Sequence, residues 1–596
     1  MEKNTILAIV LSSLVLIGFM FLQTYLNPPV DYPVEEVVRD LEDRPFIANE
    51  ENAQNNLEKM VHLEDFAEEV SISEEKFLIE TNNAKITLSN RGGDIVDFEL
   101  KNHLDGDKGV QMADSISEIN RAFSLSFGSY NSKIIDDLFQ VNKINDYTYG
   151  FYKKFRLAKA DGSFDTFTLI KQYTFHPDDY LFQLDVIIDG LENSNSAFSE
   201  LNLNGKAYTL RTSPQIGPYY DKKKDRYENR TFMSYTKDKR KKQLLGDNAT
   251  KEYSNPYTWT GIAGKYFTIL VHPQNPETMG PSLYSTKIEK NDYTNAQVFL
   301  TRNAISQKNN KDTYYIYVGP RTDKDLKKYN LLSENNWGLS NIRFDDSLQS
   351  SGILSWLEIF MKAIMQVFYK IIPNWGVSII LMTILLKVAL FPLTKKSSVS
   401  TLKMQEIQPL MTEIQEKYKG KPEKLNIELA KLYKETGYNP MMGCLPLLIQ
   451  FPLIIAMFNL FNNYFEFRGA MFIPGWIPDL SQGDSLYVLG FSLPFLGNHL
   501  RLLPVIYVIS QLLFGKITQS NAAAGANATQ MKIMTMGMPL FFFFIFYNAP
   551  AGLLLYWTIS NLLQLVQQLA INKMMKEKKA EIEGNIIPAF SPKKKK

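Results

Sequence analysis

Lys387 sits in the run SIILMTILLKVALFPLT, where every neighbour within two residues is apolar. A charge at the centre of a membrane-spanning helix costs about 2.5–3.5 kcal/mol. One alternative is simple snorkelling, because Lys387 lies six residues before Leu393, about 9 Å from the end of such a helix. Its company argues for more. Thr383 stands one turn earlier on the same helical face. Other apolar segments carry Gln450 and Asn459, Ser510 and Gln511, and Asn561, Gln564, Gln567 and Gln568. Each taken alone is ordinary interhelical hydrogen bonding. Together they fit the wall of a polar cavity inside a helical bundle. One positive charge among neutral polar groups would attract an acidic, partly hydrophilic peptide segment and lower its barrier to entering the bilayer.

Other chemistry has little support. The five histidines (His62, His103, His176, His272, His499) show no metal-ligand spacing, and Cys444 is the sole cysteine, so no intrachain disulfide or CxxC motif exists. No GxxxxGK[ST] phosphate loop is present. No cofactor is expected, and no carboxylate or histidine constellation suggests an enzyme.

The elements that must position Lys387 emerge from the hydropathy. The chain has 596 residues and 45% hydrophobic content, near the soluble average, so its membrane segments are concentrated rather than spread. Residues 1–26 contain an apolar run from Thr5 to Leu26, close to the ~20 residues of a spanning helix. A weak basic start and the lack of an A-x-A site favour an uncleaved anchor over a signal peptide. Residues 27–75 are polar and acidic, as in a flexible tether. From 76 to 350 short alternating segments such as KFLIET, AKITLS and YLFQLDVII predict a large β-sandwich. Lys222 to Lys242 is strongly basic; an exposed hairpin or loop explains it better than a nucleic-acid site, and no sequence-specific nucleic-acid binding is expected. Residues 351–373 carry Glu358, Lys362, Gln366 and Lys370 as one polar stripe on an otherwise apolar helix. An amphipathic helix in the membrane interface fits better than a further span, whose stripe would face lipid.

Five more spans are expected between 374 and 572: Trp375–Leu393, Met442–Phe465, Leu502–Thr518, Ile533–Tyr547 and Gly552–Ile571. The connection 395–440 holds nine lysines and two helical runs, Lys396–Lys417 and Pro422–Glu435, stopped by Gly437. The tail 573–596 holds eight lysines. The positive-inside rule therefore places 395–440 and both termini in the cytoplasm and 27–350 outside, in a periplasm.

At these residues the sequence resembles the YidC insertase family, bacterial relatives of the mitochondrial and chloroplast insertases. NWGVSIILMTILLKVALFPLT (374–394), YNPMMGCLPLLIQFPL (438–453), KIMTMGMPLFFFF (532–544) and PAGLLLYWTISNLLQLVQQ (550–568) carry the likeness. NRGGDIVDFELKNH (90–103) and YVGPRTDKDL (317–326) resemble the large periplasmic β-supersandwich of Gram-negative members. The resemblance implies a membrane protein insertase and chaperone of the inner membrane, with a hydrophilic groove open to cytoplasm and lipid and closed outside. It implies that the groove contains Lys387, where most of the family has arginine, and Thr383; the polar residues of the other apolar segments, Gln450, Ser510, Gln511, Asn561 and Gln564, are expected to line the same cavity. A slide for the client helix would use Phe451, Pro452, Tyr556 and Trp557. Implied partners are nascent membrane proteins, the Sec translocon, and the ribosome and signal recognition particle or its receptor, met by the basic loop and tail. Membrane lipids are the other expected partner of the tail. A transporter would normally show inverted repeats, and none is evident.

Overall fold

Alternating side chains make the strands of the N-terminal half. In Ala84–Ser89 every second residue from Ala84 is buried, and the strand pairs on one side with Lys76–Glu80 and on the other with Asp94–Asp105. The computed structural model describes residues 63–64 and 72–586, apart from 106, 114–120, 159–163, 191–200, 219–227, 229, 255, 289–293, 349–353, 439, 494–495 and 520–536. The expected anchor 1–26, nearly all of the tether and the last ten residues of the tail lie outside the described residues.

The chain divides into two units, residues 1–349 and 350–596. The first is built from antiparallel sheets of ten, five and four strands. The ten-stranded sheet is centred on Leu181–Asp189, Asn310–Pro320 and Phe267–Pro273, and the five-stranded one on Thr294–Asn303. Aromatic side chains fill the interior, among them Trp259, Tyr173, Phe139 and Phe151. The basic stretch does contain a hairpin, Thr231–Thr236 with Lys239–Leu244, on the edge of the large sheet.

One buried ionic cluster ties this unit together. Asp94 accepts from Lys171 Nζ at 2.5 Å and from Arg121 Nε at 2.7 Å, and all three side chains are buried. Lys171 also donates to the carbonyls of Gly92 and Phe123. Gly92 and Gly93 both adopt positive φ, which opens the turn that brings Asp94 inward.

A short helix, α1 (Asp323–Lys327), follows the last long strand. The second unit consists of α2 (Ser355–Ile371), α3 (Trp375–Ala389), α4 (Phe391–Lys417), α5 (Pro422–Thr436), α6 (Pro440–Asn463), α7 (Leu503–Gln519), α8 (Met538–Phe546) and α9 (Ala551–Ile586). Gly437 caps α5 in the left-handed conformation. A two-stranded hairpin, Tyr487–Leu493 with Gly497–Leu500, lies between α6 and α7.

The expected single span Trp375–Leu393 is two helices. α3 stops at Ala389, and α4 begins at Phe391 with a bend of 56°. Pro392 explains the break, since it lacks an N–H and its ring would strike the carbonyl one turn back. At 15 residues α3 is roughly 22 Å long, against a hydrocarbon core of about 30 Å. Among the described residues no single helix is both long and apolar enough to cross a membrane; the bent α3–α4 pair is the one segment that meets both conditions.

Three of the four polar residues in the α2 stripe have protein partners. Glu358 accepts from Asn459 of α6 at 3.1 Å, Gln366 donates to the Tyr464 hydroxyl at 3.2 Å, and Lys362 Nζ lies 4.8 Å from the Tyr464 ring centre. These three residues would therefore not face lipid in a span at 351–371, contrary to the expectation from the stripe alone. The outward face of α2 is the apolar one, with Trp356, Ile359, Phe360, Val367 and Ile371 exposed.

Candidate functional site

α3 is fixed at its start before it presents Lys387. The Asn374 side chain caps it by accepting from Val377 N at 3.1 Å. Trp375 stacks on Tyr369 with ring centres 4.1 Å apart. Gly376 sits so close to Phe472 that a Cβ there would lie 2.1 Å from the ring.

Three turns on, Lys387 is half-buried and faces α9. Its ammonium donates to Gln564 Oε1 at 3.2 Å, and its carbonyl accepts from Gln567 Nε2 at 3.0 Å. Next in line, Ser398 of α4 donates to Gln568 Oε1 at 3.2 Å. Three glutamines of α9 thus form a polar seam with α3 and α4. Among the described residues no carboxylate lies within ion-pair distance of Lys387. The positive charge is held by a neutral amide, which leaves it electrostatically available to an anion.

Further along α9 the seam continues as buried polar atoms without hydrogen-bond partners among the described residues. These are Trp557 Nε1, Thr558 Oγ1, Asn561 Nδ2 and Gln567 Oε1. Positions 557, 561, 564 and 568 recur at helical spacing, so they share one face over about 16 Å. Buried polar groups normally find partners. Of that face, Gln564 and Gln568 have partners, and Trp557 and Asn561 carry donors unmet among the described residues.

The other expected groove residues divide. Gln450 of α6 donates to the Tyr556 hydroxyl at 3.4 Å, joining a groove residue to a slide residue. Thr383 is 1% exposed, and its hydroxyl donates to the Ile379 carbonyl of its own helix. Ser510 donates to the Tyr507 carbonyl at 2.6 Å, and Gln511 lies 3.5 Å from the Tyr507 hydroxyl, so both serve α7 itself. Of the slide residues, Phe451 is 39% exposed and Pro452 half-buried, whereas Tyr556 and Trp557 are buried. Trp557 packs between Phe546, at 4.5 Å between ring centres, and Tyr507, at 5.9 Å.

Two residues of this unit, Ser398 and Asp484, have partners too distant in the chain for local sequence rules to reveal. Ser398 stands beyond the proline break, in a stretch read as part of a cytoplasmic hairpin. Asp484, fully buried, accepts from Trp476 Nε1 at 2.9 Å and from the backbone of Leu502 and Leu503 at 2.7 and 3.0 Å. It thereby caps α7 from eighteen residues away, beyond the reach of local capping rules.

Two family models match the chain. The one described as 60Kd inner membrane protein covers residues 367–579, and the YidC periplasmic domain covers 76–344. The class defined by these matches and by the fold is a bacterial inner-membrane protein with a helical core and a mostly β-sandwich periplasmic domain. A protein of Treponema denticola named membrane protein insertase YidC is 45% identical over 593 residues, spanning 97% of this chain and 100% of its own length. One of the same name from Treponema pallidum is 38% identical over 624 residues, spanning 97% and 100%. A crystal structure of an active YidC insertase with its first transmembrane domain resolved is 20% identical and covers 85% of this chain and 94% of its own, with a TM-score of 0.35. The chain belongs to the YidC family of membrane protein insertases.

Proposed function

We propose that the α3–α9 seam is the client-binding groove of an insertase and chaperone for integral membrane proteins, acting alone or with the Sec translocon. The observation that carries this is the Lys387 ammonium, set in an apolar helix and held by Gln564 with no counter-ion among the described residues. Hydrophilic client segments would exchange water for the glutamines of α9 and the lysine charge, and would cross the bilayer through a shortened apolar path. No nucleotide site is needed, because partitioning of the client's apolar segment into lipid drives the step.

The remaining parts follow from that role. The segments 375–393, 442–465, 502–518, 533–547 and 552–571 are the five spans of the core, the first of them bent between α3 and α4, joined by an N-terminal sixth. The basic hairpin of α4 and α5 and the tail beyond α9 lie in the cytoplasm, where they meet the ribosome and the signal recognition particle or its receptor. α2 lies in the interface with its apolar face toward lipid. Phe451, the exposed member of the expected slide, first receives the client helix; Tyr556 and Trp557 line the route only as the bundle opens.

The test is insertion of a single-span client into proteoliposomes containing the purified protein, read by protease protection. Protection well above that of protein-free liposomes is expected. Equal protection with and without the protein would sink the proposal.

A further inference from the structure

The hairpin Tyr487–Leu493 with Gly497–Leu500 has an unusual surface. From Ser485 to Leu500 the chain has no Asp, Glu, Lys or Arg. Leu486, Tyr487, Val488, Phe491 and Leu500 are all exposed, with Tyr487 and Phe491 at 65% and 62%. Tyr487 and Val488 are neighbours in one strand, so they point to opposite faces, and both faces are bare. A lone two-stranded hairpin is marginal in water, and a bare apolar edge invites aggregation. The segment needs an environment that buries it.

Its base is nevertheless held firmly. Leu486 N donates to the Leu500 carbonyl, Ser485 Oγ pairs with His499 Nδ1 at 2.9 Å, and the Tyr547 hydroxyl donates to the His499 carbonyl at 2.9 Å. Arg501 donates from Nη1 to the Asp484 carbonyl at 2.7 Å and from Nε to Asn548 Oδ1 at 3.2 Å. The hairpin therefore stands at the end of the bundle where α7 begins and α8 turns into α9. Three residues beyond it, α7 carries exposed Val505, Ile509 and Leu513 at four-residue spacing. That is the stripe a membrane helix turns to lipid, and the bare hairpin lies at its start.

We propose that this hairpin is a membrane-surface anchor, resting in the boundary between headgroups and acyl chains of the leaflet at which α7 begins. This rests on the reading of α7 as a span, which makes that leaflet the outer one. Depth follows from the backbone. A hairpin has outer edges with unpaired N–H and C=O groups, which hydrocarbon does not tolerate. The apolar side chains therefore dip into the acyl region while the edges stay among headgroups and water. Tyr487, amphipathic, suits that level. Such a wedge would hold the outer end of α7 at fixed depth during client passage.

The experiment uses the full chain in liposomes of phosphatidylcholine and phosphatidylglycerol. In a Cys444→Ser background, Val488→Cys or Phe491→Cys is labelled with an environment-sensitive dye. Leu78→Cys, exposed in the β-unit, is the aqueous reference, and Ile509→Cys reports the span. Iodide, present on both sides, reads water access; lipids with doxyl groups at shallow or deep positions read depth. The expected result at 488 and 491 is quenching about twofold stronger by the shallow lipid than by the deep one, with iodide quenching well below that at 78. Iodide quenching equal to that at 78, with no lipid quenching, would overturn the anchor. Protection from both quenchers would also overturn it, by showing that a protein surface covers the hairpin. Loss of deep-lipid quenching at 509 would instead indict the reading of α7, so the two failures are distinguishable.

Discussion

Replacing Lys387 by methionine separates function from stability. The lysine donates one side-chain hydrogen bond, to Gln564, and bonds to charged groups contribute roughly 1.5–3 kcal/mol. Against this, taking the charge out of the span relieves about 2.5–3.5 kcal/mol of desolvation. The two nearly cancel, so Lys387→Met leaves the thermal midpoint unchanged or slightly raised. Insertion behaves differently. A client carboxylate about 4 Å from the ammonium, at an effective dielectric constant of about 20, gains roughly 4 kcal/mol. Even if desolvation removes most of that, about 1.4 kcal/mol survives, a tenfold change in rate. Proteoliposome insertion of a client with acidic residues ahead of its span should therefore fall at least about tenfold, and that of a client with a neutral leader by less than about twofold. Lys387→Arg should retain insertion if charge alone matters. A large fall in midpoint with equal loss for both clients would refute the reasoning and make Lys387 a structural residue.

Further expectations concern the β-unit. Asp94→Asn removes the carboxylate that Lys171 and Arg121 share in the buried cluster; full-length protein should lose about 3–5 kcal/mol of stability in that unit, read by calorimetry. Burial holds the His272 imidazole below its ordinary value of 6.5, with the Thr258 carbonyl opposing that shift. The unfolded chain therefore takes up a proton that the folded one refuses, so stability contributed by neutral His272 is lost as pH falls below about 6.5, and a His272→Gln variant should show a flatter acid limb in pH-dependent unfolding. A Cβ at Gly261 would lie 2.2 Å from the Ile269 carbonyl oxygen; Gly261→Ala should cost about 1–3 kcal/mol in denaturant titration.

Local periodicity made much of the fold legible. The segments AKITLS and YLFQLDVII are strands because their alternation is a two-residue signal that needs no distant partner. Gly437 was readable as a helix stop for the same reason. The break at Leu390 was missed because window hydropathy averages across Pro392. The α2 stripe was visible, but its partners Asn459 and Tyr464 stand about a hundred residues away. At the candidate site, Lys387 announced itself by its cost, whereas its pairing with Gln564, 177 residues on, is a matter of packing. The local bonds of Thr383 and Ser510 needed no distant partner to foresee, since serine and threonine hydroxyls readily bond back to their own helix, and here they do.

The central claim is that client passes along the α9 face that meets Lys387. A photocrosslinker at position 564, compared with one at 566 on the exposed side of α9, tests it directly with a stalled single-span client. Client crosslinks are expected from 564, reduced in Lys387→Met for an acidic client, and chiefly lipid adducts from 566. Client crosslinks of equal yield from both positions, or none from 564 in an active preparation, would contradict it.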